Sequence, residues 1–248
     1  MSRYFLEVSY KGTNYSGFQV QENANTIQAE IEKAFTILQR DKIVMTGSSR
    51  TDAGVHALQN FFHFDYEGEI NPHFIYKMNA ILPGDIVAKK LLPVTSDLHS
   101  RFDAVSREYK YFIYRHKDPF LKDRAFFFPY KVDLNLLQQA AAILTDYNDF
   151  TSFSKRNTQV KTFQCQVFQS LWLQEDGCLV YNVKADRFLR GMVRALTATM
   201  LGIGRGKISL DEFKRVIEAK DCTKASFAVP ANGLFLVEVS YPDGSFDK

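Results

Sequence analysis

Apolar positions along the chain alternate between strand and helix periods, and together they predict an α+β fold. Arg3 to Tyr10 has period two, with Tyr4, Leu6 and Val8 on one face, and reads as a strand running into a Lys11-Gly12-Thr13-Asn14 turn. Asn25 followed by Gln28 predicts a helix start. Ile27, Ile31, Ala34, Phe35 and Leu38 then share one side of that helix. A strand over Phe61 to Asp65 and a short helix from about Pro72 follow.

The alternation repeats beyond the midpoint. Glu108 to Arg115 predicts a strand with Tyr109, Tyr111 and Ile113 on one face and Lys110, Phe112 and Tyr114 on the other. Leu136, Leu137, Ala140, Ala141 and Leu144 mark a helix capped by Asp133. Gln166–Leu173 and Cys178–Val183 flank Glu175-Asp176-Gly177, a hairpin pattern. A helix is predicted from about Asp186 to Leu201, stopping at Gly202. On it Arg187, Arg190 and Arg194 would lie within about 60° of one another. That basic stripe suits either a solvated face or a helix edge laid along phosphates. Ser209 and Glu212 predict a capping box, and Leu234 to Tyr241 a closing strand. No linker or low-complexity tract intervenes. The expected organisation is two closely packed lobes, 1–105 and 106–248, each with a mainly antiparallel sheet flanked by helices.

Composition narrows the chemistry. The 248 residues are 46% hydrophobic and 24% charged, as in ordinary globular proteins. The net charge of +3 excludes a purely electrostatic nucleic-acid binder. Its distribution is uneven: 10 basic and 12 acidic residues fall in 1–105, against 21 and 16 in 106–248, which suits equally a polyanionic partner for the C-terminal half and an ordinary fluctuation of surface charge. Cys165, Cys178 and Cys222 are odd in number and scattered, so reduced thiols are expected, as in a cytoplasmic protein. The five His residues form no HExxH or HxH group, so no metal site is expected. Met1 to Glu7 lacks the apolar core of a secretory signal, and no apolar run reaches membrane-spanning length.

Candidate chemistry concentrates in Gly47-Ser48-Ser49-Arg50-Thr51-Asp52-Ala53-Gly54-Val55-His56-Ala57. Small and turn-forming residues there surround one carboxylate and one guanidinium, and Gly54 permits φ > 0. A neighbouring Arg keeps an Asp ionised, and an ionised carboxylate can act as a nucleophile. The same residues also suit a turn in which Asp52 caps backbone N–H groups, and residue chemistry alone favours that reading.

Arg50-Thr51-Asp52-Ala53-Gly54-Val55-His56-Ala57 resembles the signature of the tRNA pseudouridine synthase A family. Further matches run in order along nearly the whole chain. They include Tyr10-Lys11-Gly12-Thr13-x-Tyr15-x-Gly17-Phe18-Gln19, Met78-Asn79-Ala80-Ile81-Leu82-Pro83-x-Asp85-Ile86 and His99-x-Arg101-Phe102-x-Ala104. Later come Arg107-x-Tyr109-x-Tyr111, Asn148-Asp149-Phe150-Thr151-Ser152-Phe153, Phe188-Leu189-x-x-Met192-Val193-Arg194 and Pro230-Ala231-Asn232-Gly233-Leu234-Phe235-Leu236. The resemblance implies an isomerase that converts uridine to pseudouridine at positions 38, 39 and 40 of the tRNA anticodon stem-loop. It implies a homodimer of two-lobed mixed α/β subunits that needs no metal or organic cofactor, with the active-site cleft between the lobes. Asp52 would be the nucleophile, Tyr109 would contact or stack on the target base, and Arg194 would pair with Asp52. Leu234 would line an apolar wall, and Arg50 would help extrude or hold the nucleotide; Arg187 and Arg190 rest on the helical spacing alone, as phosphate contacts or as a solvated basic face.

That chemistry fits the residues. Isomerisation breaks the C–N glycosidic bond, turns the uracil and forms a C–C bond at the same sugar carbon, so the detached base must be gripped in a snug, water-excluding pocket. A stacked stem-loop target must be flipped out onto an aromatic face. Two rivals remain: an RNA-binding protein of the same fold without activity, and a hydrolase using Asp52, which would need a second carboxylate that the motif lacks. Gly202-Ile203-Gly204-Arg205-Gly206-Lys207 looks phosphate-binding, yet it follows a helix instead of opening one and reads as a helix-ending loop. Ser49 stands where the family commonly has Gly, and Phe18 where Trp is usual. A Cβ at position 49 would restrict the loop if that residue needed φ > 0.

Overall fold

The computed structural model describes residues 1–156 and 160–246. It divides the chain into two compact units, Met1–Ser106 together with the chain from Leu236, and Arg107–Phe235. This differs from lobes of 1–105 and 106–248 in the C-terminal segment, which returns to the first unit. Long-range contacts account for the return. Val239 N–H donates to Gln59 Oε1 at 3.0 Å, Val105 N–H donates to the Ser240 carbonyl at 2.8 Å, and the Tyr241 ring packs edge-on against Phe5 and Phe61.

The first unit contains β1 (Ser2–Tyr10), α1 (Ile27–Gln39), β2 (Thr46–Gly47), β3 (His56–Tyr66), α2 (Phe74–Ile81) and β4 (Ile86–Val94). Its strands run antiparallel in the order β4-β1-β3, with β2 paired to β3. Alternation in β1 predicts one buried face, but Phe5, Leu6, Glu7 and Val8 are all buried because both faces are covered. On one face Tyr4 stacks on Phe64, and Phe35 of α1 meets Phe64, Tyr66 and Phe74. On the other, Phe5 packs against Phe61, Tyr241 and Phe246. Burying each such ring contributes about 1.5–3 kcal/mol. The cap of α1 is Thr26, whose hydroxyl accepts from Ala29 N–H, one residue beyond the predicted start. The pattern does not predict β4. It carries adjacent Lys89 and Lys90 and Pro93, residues that blur alternation and that an outer strand tolerates.

The second unit opens with β5 (Ser106–Tyr114) and continues through β6 (Phe126–Phe127), α3 (Leu134–Ile143), β7 (Val167–Glu175), β8 (Cys178–Ala185), α4 (Met192–Gly204) and α5 (Leu210–Glu218). From there β9 (Leu234–Ser240) leads back to the first unit. The order β5-β8-β7 is antiparallel, and β6 pairs parallel with β5. Asp176 and Gly177 turn the β7–β8 hairpin with φ of 48° and 75°, the left-handed pair a tight hairpin needs. Asp133 caps α3, and Ser209 with Glu212 forms a capping box on α5. Helix α3 packs on α4 and β7. The fold is α+β and mainly antiparallel. No helix among the described residues is long and apolar enough to cross a membrane.

Helix α4 corrects the sequence reading at both ends. It begins at Met192, so Arg187 and Arg190 lie in the preceding loop and form no helical stripe with Arg194. Gly191, at φ 76°, breaks the helical path, and Asp186 Oδ1 accepts from Gln166 and Arg187 N–H and holds the loop open. At the other end α4 runs through Gly202 to Gly204. Gly206, at φ 69°, terminates it: Gly206 N–H donates to Ile203 O and Lys207 N–H to Gly202 O, a Schellman motif. Those two amides serve the helix end and are not offered to a phosphate.

Candidate active site

Asp52 lies half-buried in the loop from β2 to β3, among neighbours that are held from below. Thr51 and Val55 on either side are buried, and Val55 N–H donates to the Asp52 carbonyl at 3.2 Å, closing a turn in which Gly54 has φ 79°. The segment after β1 lies directly against this turn. Gly12 N–H donates to His56 Nδ1 at 3.1 Å, so that nitrogen is unprotonated. A Cβ on Gly12 would collide with the Val55 carbonyl oxygen. Gly17, at φ 111°, leaves a Cβ only 3.3 Å from the Thr51 carbonyl, and Phe18 N–H donates to that carbonyl at 3.1 Å. The glycines of this motif therefore permit backbone-to-backbone approach. Arg50 points outward and is exposed.

Beneath the loop is a polar cluster that sequence reading missed. Asn60 on β3 is fully buried and donates from Nδ2 to the Ser49 carbonyl at 2.9 Å and to the Tyr10 hydroxyl at 3.1 Å. Its Oδ1 accepts from Ser48 Oγ at 2.6 Å and from Phe61 N–H at 2.9 Å. The Tyr10 hydroxyl lies 2.8 Å from Thr51 Oγ1. The available sequence signal was a period-two one, since Asn60 shares a strand face with Phe62 and Phe64, where a polar side chain is out of place.

The second unit assembles the other candidates. Tyr109 and Tyr111 share a face of β5, and the Tyr109 ring meets Phe188 edge-on at 5.0 Å. Arg107, on the same face, donates from Nη1 to the Asp186 carbonyl at 2.9 Å and steadies the loop bearing Phe188. Tyr111 is fully buried and donates to the Pro230 carbonyl at 2.7 Å, and burial pushes its phenol well above the usual range. In the first turn of α4, Arg194 donates to the Val229 carbonyl from Nε at 3.0 Å and from Nη2 at 2.7 Å. Two successive carbonyls, 229 and 230, thus orient Arg194 and Tyr111. Leu234 is buried where β9 starts, just after Gly233, which leaves no room for a Cβ against the Tyr111 ring and the Phe112 carbonyl. Tyr109, Phe188, Arg194 and Leu234 belong to this one unit, as do Arg187 and the exposed Arg190 in the loop before α4, while Asp52 and Arg50 belong to the other.

The sequence profile described as tRNA pseudouridine synthase matches residues 7–103 and 140–242 of the chain. The chain belongs to the tRNA pseudouridine synthase family. Among its relatives, a tRNA pseudouridine synthase A of Parabacteroides distasonis is 46% identical, the match covering 99% of this chain and 98% of that protein. The Bacteroides fragilis protein of the same name is 44% identical over 100% and 99% of the two chains, and that of Staphylococcus aureus 35% identical over 96% and 90%.

Seen as a tRNA pseudouridine synthase, the two departures from the family pattern acquire structural meanings. Ser49 is not at positive φ, so its Cβ is accommodated without backbone strain, although its buried Oγ has no hydrogen-bond partner among the described residues. Phe18 is a core residue, stacked on Phe62 at 4.7 Å and 14°. Its ring would be struck by a Cβ on Gly47.

Proposed function

We propose that the protein isomerises uridine to pseudouridine in tRNA, at positions 38, 39 and 40 of the anticodon stem-loop, with Asp52 as the essential carboxylate. The observation that carries this is the Arg50-Thr51-Asp52 turn, gripped by Gly12, Gly17 and Phe18 in a chain that matches this family along almost its whole length. Product and substrate differ only in which uracil atom is bonded to the sugar. The glycosidic C–N bond breaks, the base turns, and a C–C bond forms while the C5 proton leaves and N1 gains one. Nothing is added, so the enzyme's work is to hold and reorient a detached base.

In this reading Tyr109, braced by Phe188, offers a ring to the flipped base, and Leu234 supplies an apolar wall. Arg194, oriented by the Val229 carbonyl, is the charge partner of Asp52. Arg50 helps extrude the nucleotide, and Arg187 and Arg190 meet phosphates from an irregular loop. The enzyme acts as a homodimer in the cytoplasm. A solution mass of twice the chain's 28.5 kDa is expected, and a monomer at working concentration would contradict it.

The deciding experiment incubates the protein with unmodified tRNA and maps pseudouridine by base-specific chemical adducts. Pseudouridine confined to positions 38–40 is expected. Tight binding without any pseudouridine would support an inactive RNA-binding protein instead, and free uracil a hydrolase.

A further inference from the structure

The buried cluster under the Asp52 loop has a direction. Asn60 Oδ1 is occupied by two donors, Ser48 Oγ–H and Phe61 N–H, which fixes the amide so that Nδ2 faces the Ser49 carbonyl and the Tyr10 hydroxyl. The Tyr10 hydroxyl, which accepts from Asn60, also lies within hydrogen-bond distance of Thr51 Oγ1, at 2.8 Å. The result is an ordered chain, Asn60 to Tyr10 to Thr51, ending on the residue before Asp52. Asn60 and Thr51 are almost wholly buried, as is Tyr10. In such surroundings each bond is strengthened by the low dielectric, and a missing partner is not replaced by water. The three links come from β3, the loop just before it and β1, which lies some forty to fifty residues earlier in the chain. A turn held only by its own backbone has no need of them.

We propose that Asn60 and Tyr10 are positioning residues for catalysis: the hydrogen-bond chain through the Thr51 hydroxyl fixes the direction of the Asp52 carboxylate before substrate arrives. Neither residue touches substrate. Both act through Thr51, and the proposal rests on Asp52 being the essential carboxylate. Preorganisation matters here because a displacement of about 1 Å at a reacting group can reduce rate by about 100-fold.

The test uses the full-length chain and three substitutions that preserve shape: Tyr10→Phe, Thr51→Val and Thr51→Ser. Turnover on tRNA is measured at a temperature where circular dichroism shows every variant folded, and amide exchange of the 48–56 segment is followed by mass spectrometry. Tyr10→Phe and Thr51→Val are each expected to lower kcat by about tenfold, with KM for tRNA within about twofold. Thr51→Ser, which keeps the hydroxyl, should stay within about twofold of the parent. The double variant Tyr10→Phe/Thr51→Val should be no slower than the worse single, because both cut one chain. Exchange in 48–56 should quicken in Tyr10→Phe and Thr51→Val, with the rest of β1 and β3 unchanged. Unchanged exchange in the loop would overturn the proposal whether or not the parent forms pseudouridine. Faster exchange with undiminished kcat, or a multiplicative double variant, would overturn it too. A parent without activity on any tRNA would instead defeat the assigned reaction, and the exchange result would still judge the positioning chain.

Discussion

At the scale of single residues, the two side chains to which the proposed function assigns the chemistry, Asp52 and Arg194, have different surroundings. Asp52 sits in a tight turn whose flanking residues are buried, so replacing it changes charge without changing the fold. Asp52→Asn is expected to leave tRNA affinity within about threefold while turnover falls on the order of 1,000-fold or more. Retained turnover in a single-turnover assay would remove Asp52 from its role. Arg194 is clamped by two bonds to one carbonyl, a fork geometry that an ammonium does not reproduce. Arg194→Ala should slow the reaction by roughly 100-fold, the scale of losing one preorganised charge partner, and an unchanged rate would dissolve the pairing. Asp52 and Arg194 were legible as residues because their motifs are short and contiguous. Asn60 was not, since its role depends on Ser48, Ser49 and Tyr10, which reach it only after folding.

Glycine positions decide the architecture at the scale of elements. The turn after β1 and the Asp52 loop meet backbone to backbone, so Gly12→Ala should force the two apart, destabilise the chain by about 1–3 kcal/mol and lower kcat together with it. Denaturant unfolding and turnover measured on the same sample check this, and a fully stable, fully active variant would contradict it. Caps and turns were the most readable features, because Asp133, Ser209 with Glu212, and Asp176-Gly177 act within a few residues of themselves. The start of α4 was misread for the complementary reason. Arg187, Arg190 and Arg194 fit a helical period, but Gly191 at positive φ and the Asp186 side chain impose a loop that periodicity cannot register. Strand β4 escaped notice because an outer strand keeps lysines and a proline that erase alternation.

For the whole molecule the informative quantity is the placement of charge. With +3 overall and the excess in residues 106–248, binding to tRNA should depend on phosphate contacts from the second unit. Affinity is expected to fall linearly in log–log form with added salt, at a slope near −0.7 to −0.9 per contact. Arg190→Gln should reduce that slope by about one contact with kcat unchanged at saturating tRNA, as read by filter binding across a salt series. A flat salt response would argue against phosphate-dominated binding. Sequence alone determined the α+β class, the caps of α3 and α5, the tight hairpin and the Asp52 motif, because propensity, capping and turn chemistry act over a few neighbouring residues. Tertiary structure decided that both faces of β1 are covered, that the chain beyond Leu236 returns to the first unit, and that Asn60 and Tyr10 stand under Asp52. Those outcomes depend on contacts between segments tens to hundreds of residues apart, which no local period encodes.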